Sequence, residues 1–488
     1  MTIEAAKAAA IDGVADWAAD LGPIANAGRL LDHGASDLRL VALDVIAAGL
    51  RAADPGAAVD RMVEVDRSRL RVAGRTFDLD AAGSIVVLGA GKASLPIAAA
   101  LEAKLGDRIS RGLVVRRAGA PGVLERIEVI DADHPIPSAA SLAAGRQLVE
   151  MAATCGPGDL LISAFTGGSS ALACLPPDGV SFEAKQALHS LLLDSGASIA
   201  EVNAVRKHVS ALKGGRLAVL AGGAGIINLT LSDVVGDAVD LLCDAVVQDS
   251  TDPAGAIGVL NRYGLWDSVD PQIRHHLGTE GAASPSLADL DITTCVLVTG
   301  STVVERMADR VREIGRTPVV LGSTLAGDAA SLGGLLGALA GESSTHGRPF
   351  PPGSVLVAAG GEATVSIHRG AGIAVGCGGP NQEEAIAFAK AIGGAHAQAA
   401  GVFVDSDGSD GGTDAAGGCV DGGTVARAAE LGVDLDSGIA AHDSSALLER
   451  LGDLVVTGPT GTNISDLLAI AIDGVVEPVP TDSGAGPA

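Results

Sequence analysis

The chain has 488 residues and a formal net charge of −26, and hydrophobic residues make up 47% of it. This length exceeds a single compact core and predicts two or three domains. The acidic balance argues against nucleic acid or an acidic membrane surface as a partner, because like charges repel. Since no run of about 18 apolar residues occurs, we expect no membrane span.

The cysteines and the N-terminus indicate a cytoplasmic protein. The six cysteines are scattered without a Cys-x-x-Cys pair, which argues against a disulfide framework or a thiolate zinc site. The chain begins Met1-Thr2-Ile3-Glu4, without the basic segment of a secretory signal. Acidic residues outnumber basic ones and lysine is scarce, which suggests a halophilic cytoplasm of high ionic strength, where salt screens dense surface charge.

The first half of the chain alternates helices with strands. Residues 1–34 are Ala-rich and predict an N-terminal helical extension. Two helices follow over residues 36–66, the second opening at Pro55. Runs of β-branched and apolar residues predict strands at 85–88, 113–115, 127–130, 160–163 and 225–231. Strands and helices in this alternation predict parallel βαβ units and a Rossmann-like domain over residues 35–285.

The alternation restarts after a small, polar stretch at residues 278–286. Further strands are predicted at 295–298, 317–321, 354–358, 401–404 and 453–456. We therefore expect a second α/β domain over residues 286–478, followed by a disordered tail at 479–488. The predicted fold class is α/β, with two Rossmann-like domains, largely parallel sheets and an active-site cleft between the domains.

A glycine turn follows the first buried strand. Gly89-Ala90-Gly91-Lys92-Ala93-Ser94 exposes backbone N–H groups at a helix start and adds a lysine, which suits a phosphate or carboxylate. It is neither a Walker A loop, since Ala93 stands where Ser or Thr would bind Mg²⁺, nor a dinucleotide fingerprint, since Ser94 occupies the third glycine position. A tight packing turn is the alternative.

A second turn follows the strand at 160–163. Gly167, Gly168, Ser169 and Ser170 predict an anion-binding nest that opens a helix, with helix capping by a serine as the alternative. A serine hydrolase is weakly supported, because Gly-x-Ser-x-Gly does not occur here.

A basic cluster stands out in so acidic a chain. Arg206, Lys207 and Lys213 supply local positive potential that an anionic substrate would need, and a solvated helix paired with acids is the alternative. The isolated histidines His134 and His442 are interpreted as structural.

Carboxylates follow two later strands. Asp233 and Asp237 could hold Mg²⁺ or accept a proton from an attacking hydroxyl, or could cap a helix. The acidic loop at 405–417 departs from the EF-hand pattern at Asp410, which takes the glycine position, but could hold a metal–nucleotide.

Taken in order, these segments resemble the glycerate 2-kinase family whose C-terminal half is called the MOFRL domain. The resemblance covers about residues 36–475 and rests on the ordered set of motifs at 89–94, 133–137, 166–170, 205–208 with 213–215, 232–237 and 405–414. It implies ATP- and Mg²⁺-dependent phosphorylation of the 2-hydroxyl of D-glycerate. One departure is Pro380, which stands where many relatives have arginine.

The resemblance places the family's conserved lysine at Lys92, and the chemistry of the motifs suggests roles for the other residues as hypotheses. Lys92 would stabilise the transferred phosphate and Asp233 would accept the proton, while Arg206 or Lys207 would hold the substrate carboxylate. The substrate and phosphate set is completed by Gly89, Gly91, Ser94, Gly167, Gly168, Ser169, Ser170 and Lys213. The nucleotide set is Glu362, Asn381, Gln382, Asp405, Asp407 and Thr460, and the metal set is Asp237, Asp407 and Asp410.

Two rival functions remain open from the sequence. A nicotinamide-dependent hydroxypyruvate reductase needs a dinucleotide fingerprint with an acidic ribose ligand, which the sequence lacks. A non-catalytic nucleotide or sugar-acid sensor explains the anion nests but not the clustered carboxylates. The oligomeric state, including a homodimer, stays open.

Overall fold

A computed structural model describes residues 21–119, 122–193, 195–232, 239–365, 375–392 and 397–474. Contacts divide the chain into two compact units. The N-terminal unit comprises residues 52–303 together with residues 459–465. The C-terminal unit comprises the described residues up to Arg51, those of 304–458 and residues 466–474. No helix in the described ranges combines the length and apolar composition needed to cross a membrane.

The structure has helices at segments where the sequence predicts them and at several further segments. In chain order they are α1 (Ala27–Leu31), α2 (Ser36–Ala52), α3 (Pro55–Met62), α4 (Ser94–Leu105), α5 (Ala139–Ala152), α6 (Ser169–Leu172), α7 (Phe182–Leu193), α8 (Ile199–His208), α9 (Arg216–Leu220), α10 (Pro253–Arg262), α11 (Pro271–Leu277), α12 (Gly300–Glu313), α13 (Ala329–His346), α14 (Pro380–Ala391), α15 (Thr424–Glu430), α16 (Leu435–Ala440) and α17 (Ser444–Leu451). Local signals fix several starts. Asp54 accepts a hydrogen bond from the Ala57 N–H ahead of Pro55, which confirms the predicted start of α3.

The strands fall into two large sheets and two small ones. In chain order they are β1 (Glu64–Asp66), β2 (Arg69–Val72), β3 (Arg75–Asp78), β4 (Ile85–Ala90), β5 (Arg111–Arg117), β6 (Glu128–Ala132), β7 (Leu160–Phe165), β8 (Gly225–Leu231), β9 (Ile292–Val298), β10 (Thr317–Gly322), β11 (Gly327–Asp328), β12 (Ser354–Ala359), β13 (Ala363–Thr364), β14 (Ala399–Asp405), β15 (Gly417–Asp421), β16 (Leu454–Val455) and β17 (Asp466–Ile472). The small sheets are β1-β2-β3 and β11-β13.

The large sheet of the N-terminal unit is parallel throughout, in the order β6-β5-β4-β7-β8-β9. This is the Rossmann strand order. Successive strands are added to one side of the first strand and then, from the fourth strand on, to its other side, so the strand order reverses between β4 and β7. Strands β4 and β7 are buried at every position, which explains their continuous apolar runs. The Rossmann-like prediction is confirmed for this unit. The turns that leave β4 and β7 lie side by side at the switch point, where such folds bind ligands.

The large sheet of the C-terminal unit is mixed, whereas the sequence predicts a largely parallel one. Its order is β10-β12-β17-β14-β15-β16, and β10–β12 is its parallel pair. Strand β17, which the sequence pattern did not assign, inserts between β12 and β14 and runs antiparallel to both. The short loop from β14 to β15 also forces an antiparallel pair, because a parallel pair needs a longer crossover. The α/β class itself is confirmed.

The division between the units differs from the boundary expected at residue 286. Strand β9 lies beyond that boundary, yet it pairs with β8 and completes the first sheet. The N-terminal unit therefore extends to Val303. The described part of the predicted N-terminal extension packs in the C-terminal unit, where the Asn26 side chain donates to Leu454 O at 2.7 Å.

Candidate active site

The two glycine turns of the N-terminal unit bond to each other. The Lys92 N–H donates to Gly167 O at 2.9 Å, and the Ala93 N–H donates to Thr166 Oγ1 at 3.1 Å. Gly91 has φ 138°, and a Cβ there would lie 2.2 Å from Thr166 Oγ1, so this close approach requires glycine. The two predicted anion turns thus form one continuous edge.

Lys92 and His134 flank the second turn. A Cβ on Gly168, whose φ is 82°, would lie 3.1 Å from His134 Nε2 and 3.5 Å from Lys92 Cγ. The Lys92 ammonium donates to Asn463 Oδ1 at 3.5 Å, and Asn463 lies in the segment 459–465 that packs in this unit. His134, interpreted from sequence as structural, therefore lies at the turn itself.

Ser94 lies apart from this edge. Its side chain is fully buried, and its hydroxyl donates to Ala164 O at 2.7 Å. This bond fixes α4 onto β7. The structure thus gives Ser94 a supporting position rather than the predicted phosphate contact.

Buried cations lie directly behind the second turn. The Lys213 ammonium donates to Ser169 Oγ at 2.7 Å and lies 4.3 Å from the centre of the Phe165 ring. Arg206 Nη1 donates to Ser170 Oγ at 3.2 Å, and its Nε has no hydrogen-bond partner among the described residues. Burial lowers the pKa of Lys213 to about 8. Positive charge held this way attracts an anion.

Two further residues of this cluster were not predicted from the sequence. Lys185 and His189 are buried one turn apart on α7, and the Lys185 ammonium donates to Val209 O. Neither ring nitrogen of His189 has a partner within the described ranges. Burial, and then the nearby charges of Arg206 and Lys185, lower the pKa of His189 well below 6.5, so the ring is neutral. The four-residue spacing of Lys185 and His189 was the available signal.

A small cavity of about 40 Å³ opens against this cluster. Its wall combines the glycine turn with cations and with polar groups of the following elements; among its residues are Gly167, Ser169, Ser170, Asn203, Arg206 and Asp244. Asp244 is buried, and this burial raises the pKa of its carboxyl group. With three buried cations beside one such acid, the site favours an anionic ligand.

Lys207 does not join this cluster, although the sequence predicts it as a substrate-binding residue. Its ammonium lies 2.6 Å from Asp249 Oδ1 and donates to Asp240 O at 2.8 Å. Asp249 also accepts hydrogen bonds from Ser284 and Thr251. Consecutive residues of a helix point in different directions, so Arg206 faces the turn while Lys207 fixes the chain around Asp249. Asp233 and Asp237 lie outside the described residues.

Comparison with known proteins identifies the family. A model described as "Domain of unknown function (DUF4147)" matches residues 41–278, and one described as "MOFRL family" matches residues 355–466. Glycerate 2-kinase of Pyrococcus horikoshii is 37% identical to this chain, over 89% of the chain and 97% of the relative. The chain belongs to the MOFRL glycerate 2-kinase family.

Two other relatives carry different names. The crystal structure of glycerate kinase from Thermotoga maritima is 30% identical, with a TM-score of 0.73, and the match covers 89% of this chain and 99% of that one. An Agrobacterium vitis protein named putative hydroxypyruvate reductase is 36% identical, over 80% of this chain and 87% of its own length. The glycerate kinase name is thus carried by a curated relative and by a solved structure, each matched over 89% of this chain, whereas the reductase name comes from a relative matched over 80%.

In the MOFRL segment, residues 355–466, Asn381 and Gln382 are predicted to bind the nucleotide, and their side chains form hydrogen bonds within the segment. The side chain of Asn381 donates to Asp466 Oδ1 at 2.6 Å, and that of Gln382 donates to Thr413 Oγ1 at 2.9 Å. The Asp410 carboxylate accepts from both backbone N–H groups at the start of α14, at 3.2 and 2.9 Å. Asp410, which the sequence predicts as a metal ligand, thus caps this helix.

The remaining predicted residues of this segment are more accessible. Glu362 is exposed, and Asp405 and Asp407 are half-buried. Within their loop the Asp405 carboxylate accepts the Asp407 N–H at 2.9 Å, and the Asp407 carboxylate accepts the Ser409 N–H at 2.7 Å. Thr460 is half-buried and belongs to the N-terminal unit.

Metal ligands are not gathered into one group in the described part of the chain. No set of three or more His, Cys, Asp or Glu side chains has an arrangement that could hold a metal ion there. Mg²⁺ needs only one or two carboxylates when phosphate oxygens and water complete its shell.

An acidic cluster, Glu384, Asp410 and Asp466, lies at the start of the MOFRL helix α14. Burial, and then repulsion from Asp466 and Asp410, raise the pKa of Glu384 well above 4.5. Burial likewise raises the pKa values of Asp410 and Asp466 to about 7. Because the folded state binds these protons more tightly than the unfolded chain, this cluster stabilises the fold at low pH, and that stability is lost as pH rises from about 4 through 7.

We expect Glu384→Gln to raise the unfolding free energy at pH 8 by about 1–3 kcal/mol, because it removes a carboxyl group whose ionisation is disfavoured by burial and whose Oε1 has no partner among the described residues. At pH 4, where Glu384 is protonated, the variant and the parent should unfold at the same denaturant concentration. Glu449→Gln, on the exposed face of α17, is the matched control. Equal stability at pH 8 would contradict the charge assignment.

Proposed function

We propose that this chain is a cytoplasmic glycerate 2-kinase that transfers the γ-phosphate of ATP to the 2-hydroxyl of D-glycerate, giving 2-phosphoglycerate. The observation that carries the proposal is the set of buried cations Lys185, Arg206 and Lys213 behind a glycine turn at the switch point of the sheet. The protein carries a net charge of −26, so an anionic substrate needs such a local reversal of charge.

The chemistry requires positioning and charge neutralisation more than a covalent nucleophile. Lys92 and the N–H groups of the adjoining turn would hold the transferred phosphate. Arg206, which faces the cavity, would hold the substrate carboxylate in place of Lys207, whose charge is matched by Asp249. Asp233 would accept the proton of the attacking hydroxyl.

ATP and Mg²⁺ complete the proposal. Mg²⁺ bound to ATP supplies charge neutralisation at the β- and γ-phosphates. In this chain Asp237, Asp407 or Asp410 would lie near the metal, and the candidate nucleotide contacts are Glu362, Asp405 and Thr460. Asn381 and Gln382 would support the nucleotide loop through their bonds to Asp466 and Thr413. D-Glycerate is the small-molecule partner, and a homodimer remains compatible with the proposal.

The function is tested by incubating the protein with ATP, Mg²⁺ and D-glycerate and following ADP. We expect ADP to form only when glycerate is present, and phosphorus NMR to show 2-phosphoglycerate rather than 3-phosphoglycerate. A parallel assay with hydroxypyruvate follows NADH absorbance. NADH oxidation without ADP formation would favour the reductase, and binding without either reaction would favour a sensor.

A further inference from the structure

Ser169 and Lys213 form a buried hydroxyl–amine pair at the cavity wall. Ser169 is 3% exposed and lines the cavity, and Lys213 is 1% exposed behind it. Their Oγ and Nζ atoms are 2.7 Å apart. The serine hydroxyl has a second acceptor in Cys243 O at 3.4 Å. The hydroxyl can therefore point to Cys243 while Lys213 is an ammonium, and to Lys213 once the amine is neutral.

The surroundings of Lys213 bring the loss of its proton close to neutral pH. Its ammonium is desolvated, and this burial lowers its pKa to about 8. The charged and titratable groups that act on it are Cys243, Asp244, Lys185 and Cys174. Burial raises the pKa values of both Asp244 and Cys174, which disfavours the negative charge that would stabilise the Lys213 ammonium. The charge of Lys185 also repels that ammonium. Desolvation and a neighbouring cation both lower the pKa of a lysine, and enzymes use them to obtain a neutral amine that can accept a proton near neutral pH.

We propose that Ser169 and Lys213 act as a relay that removes the proton from the substrate hydroxyl during phosphoryl transfer. The inference rests on the proposed function and replaces Asp233 in it as the acceptor of the hydroxyl proton. The substrate oxygen forms a bond to the γ-phosphorus while the bond from that phosphorus to the β–γ bridging oxygen breaks, and ADP leaves. The substrate hydroxyl proton passes to Ser169 Oγ, and the proton of Ser169 passes to Lys213 Nζ. Lys213 returns its proton to water after product release.

The relay and a carboxylate base predict different pH profiles. With the relay, the single-turnover rate of phosphoryl transfer should rise with pH through an inflection near 8, where Lys213 loses its proton. With Asp233 as the base, the inflection should fall in the acidic range of carboxyl groups. Rapid-quench measurements at saturating ATP and glycerate isolate this step from product release.

Ser169→Ala should lower the single-turnover rate by about 10²- to 10⁴-fold and abolish the inflection, while KM for glycerate changes much less. Lys213→Arg supplies the decisive comparison, because arginine keeps the charge but cannot accept a proton at these pH values. If Lys213 served only as a charge, Lys213→Arg would restore activity that Lys213→Met lacks. Under the relay, both variants should be slow. Ser190→Ala and Lys104→Arg, both away from the cavity, are controls.

The parent protein alone provides a measurement that does not depend on variant folding. A transfer rate that is flat between pH 6 and 9, or an inflection in the acidic range, overturns the relay while the kinase function stands. Failure of the parent to phosphorylate glycerate at any pH defeats the proposed function itself. Circular dichroism and thermal unfolding establish that each variant is folded before its rate is interpreted.

Discussion

Lys92→Ala is expected to lower kcat by about 10²- to 10³-fold while the fold and its thermal unfolding stay close to those of the parent. The lysine follows β4 at the switch point, and its backbone is held by the bond to Gly167 O, which the substitution keeps. Its side chain is half-buried beside Gly168 and His134. The charge that would neutralise the transferred phosphate is removed, while the turn that presents it remains.

The matched control is Lys104→Ala, at the end of helix α4, which begins two residues after Lys92. Its ammonium bonds to Asp60, away from the glycine turns, so its loss should leave kcat within about twofold, as expected for an exposed ion pair. Both variants are measured with saturating ATP and glycerate, which separates a loss in kcat from weaker binding. Near-normal turnover of Lys92→Ala would remove this lysine from the catalytic set.

The first sheet was predictable because its signals are local. Buried apolar runs such as Ile85–Ala90 end in glycine turns, and the turns fix their own conformation through residues such as Gly91 and Gly168. The second sheet was harder to predict from the sequence. Strand β17 reads Asp-Leu-Leu-Ala-Ile-Ala-Ile, an apolar run without alternation that fits a buried helix or strand equally well, and its antiparallel direction depends on long-range pairing.

The site was predicted in part, for a physical reason that α8 illustrates. Residues 202–208 of this helix are all buried, so the pattern of apolar residues does not show which face of the helix points toward the site. The sequence therefore placed Arg206 and Lys207 in one site, whereas only Arg206 contacts the serine turn. Asp244 comes to the cavity, and His189 comes to the buried charges of Arg206 and Lys185, from distant segments. Their contribution depends on tertiary packing that no local pattern encodes.

Arg39→Met should lower the unfolding free energy of the protein by about 3–5 kcal/mol, because it leaves buried carboxylates without their shared cation. Arg39 is fully buried in the C-terminal unit; its guanidinium pairs with Asp421 and lies 2.8 Å from Asp453 Oδ1. Arg427 bridges the same two acids from α15, at 3.1 and 2.8 Å. Denaturant unfolding monitored by circular dichroism measures the loss.

The pH dependence of the same variant identifies the carboxylate involved. Burial alone would raise the pKa of Asp421, but Arg39 and then Arg427 hold it below 3.8, so this acid stabilises the fold above pH 4 and loses that contribution as pH falls. Without Arg39 the penalty should therefore be largest at neutral pH and shrink in acid. Arg306→Met, in an exposed pair with Asp309, should cost less than about 1 kcal/mol. An equal, small loss in both variants would show that Arg39 does not stabilise the buried acids, and that the segment from His33 to Arg39 is held by its apolar contacts instead.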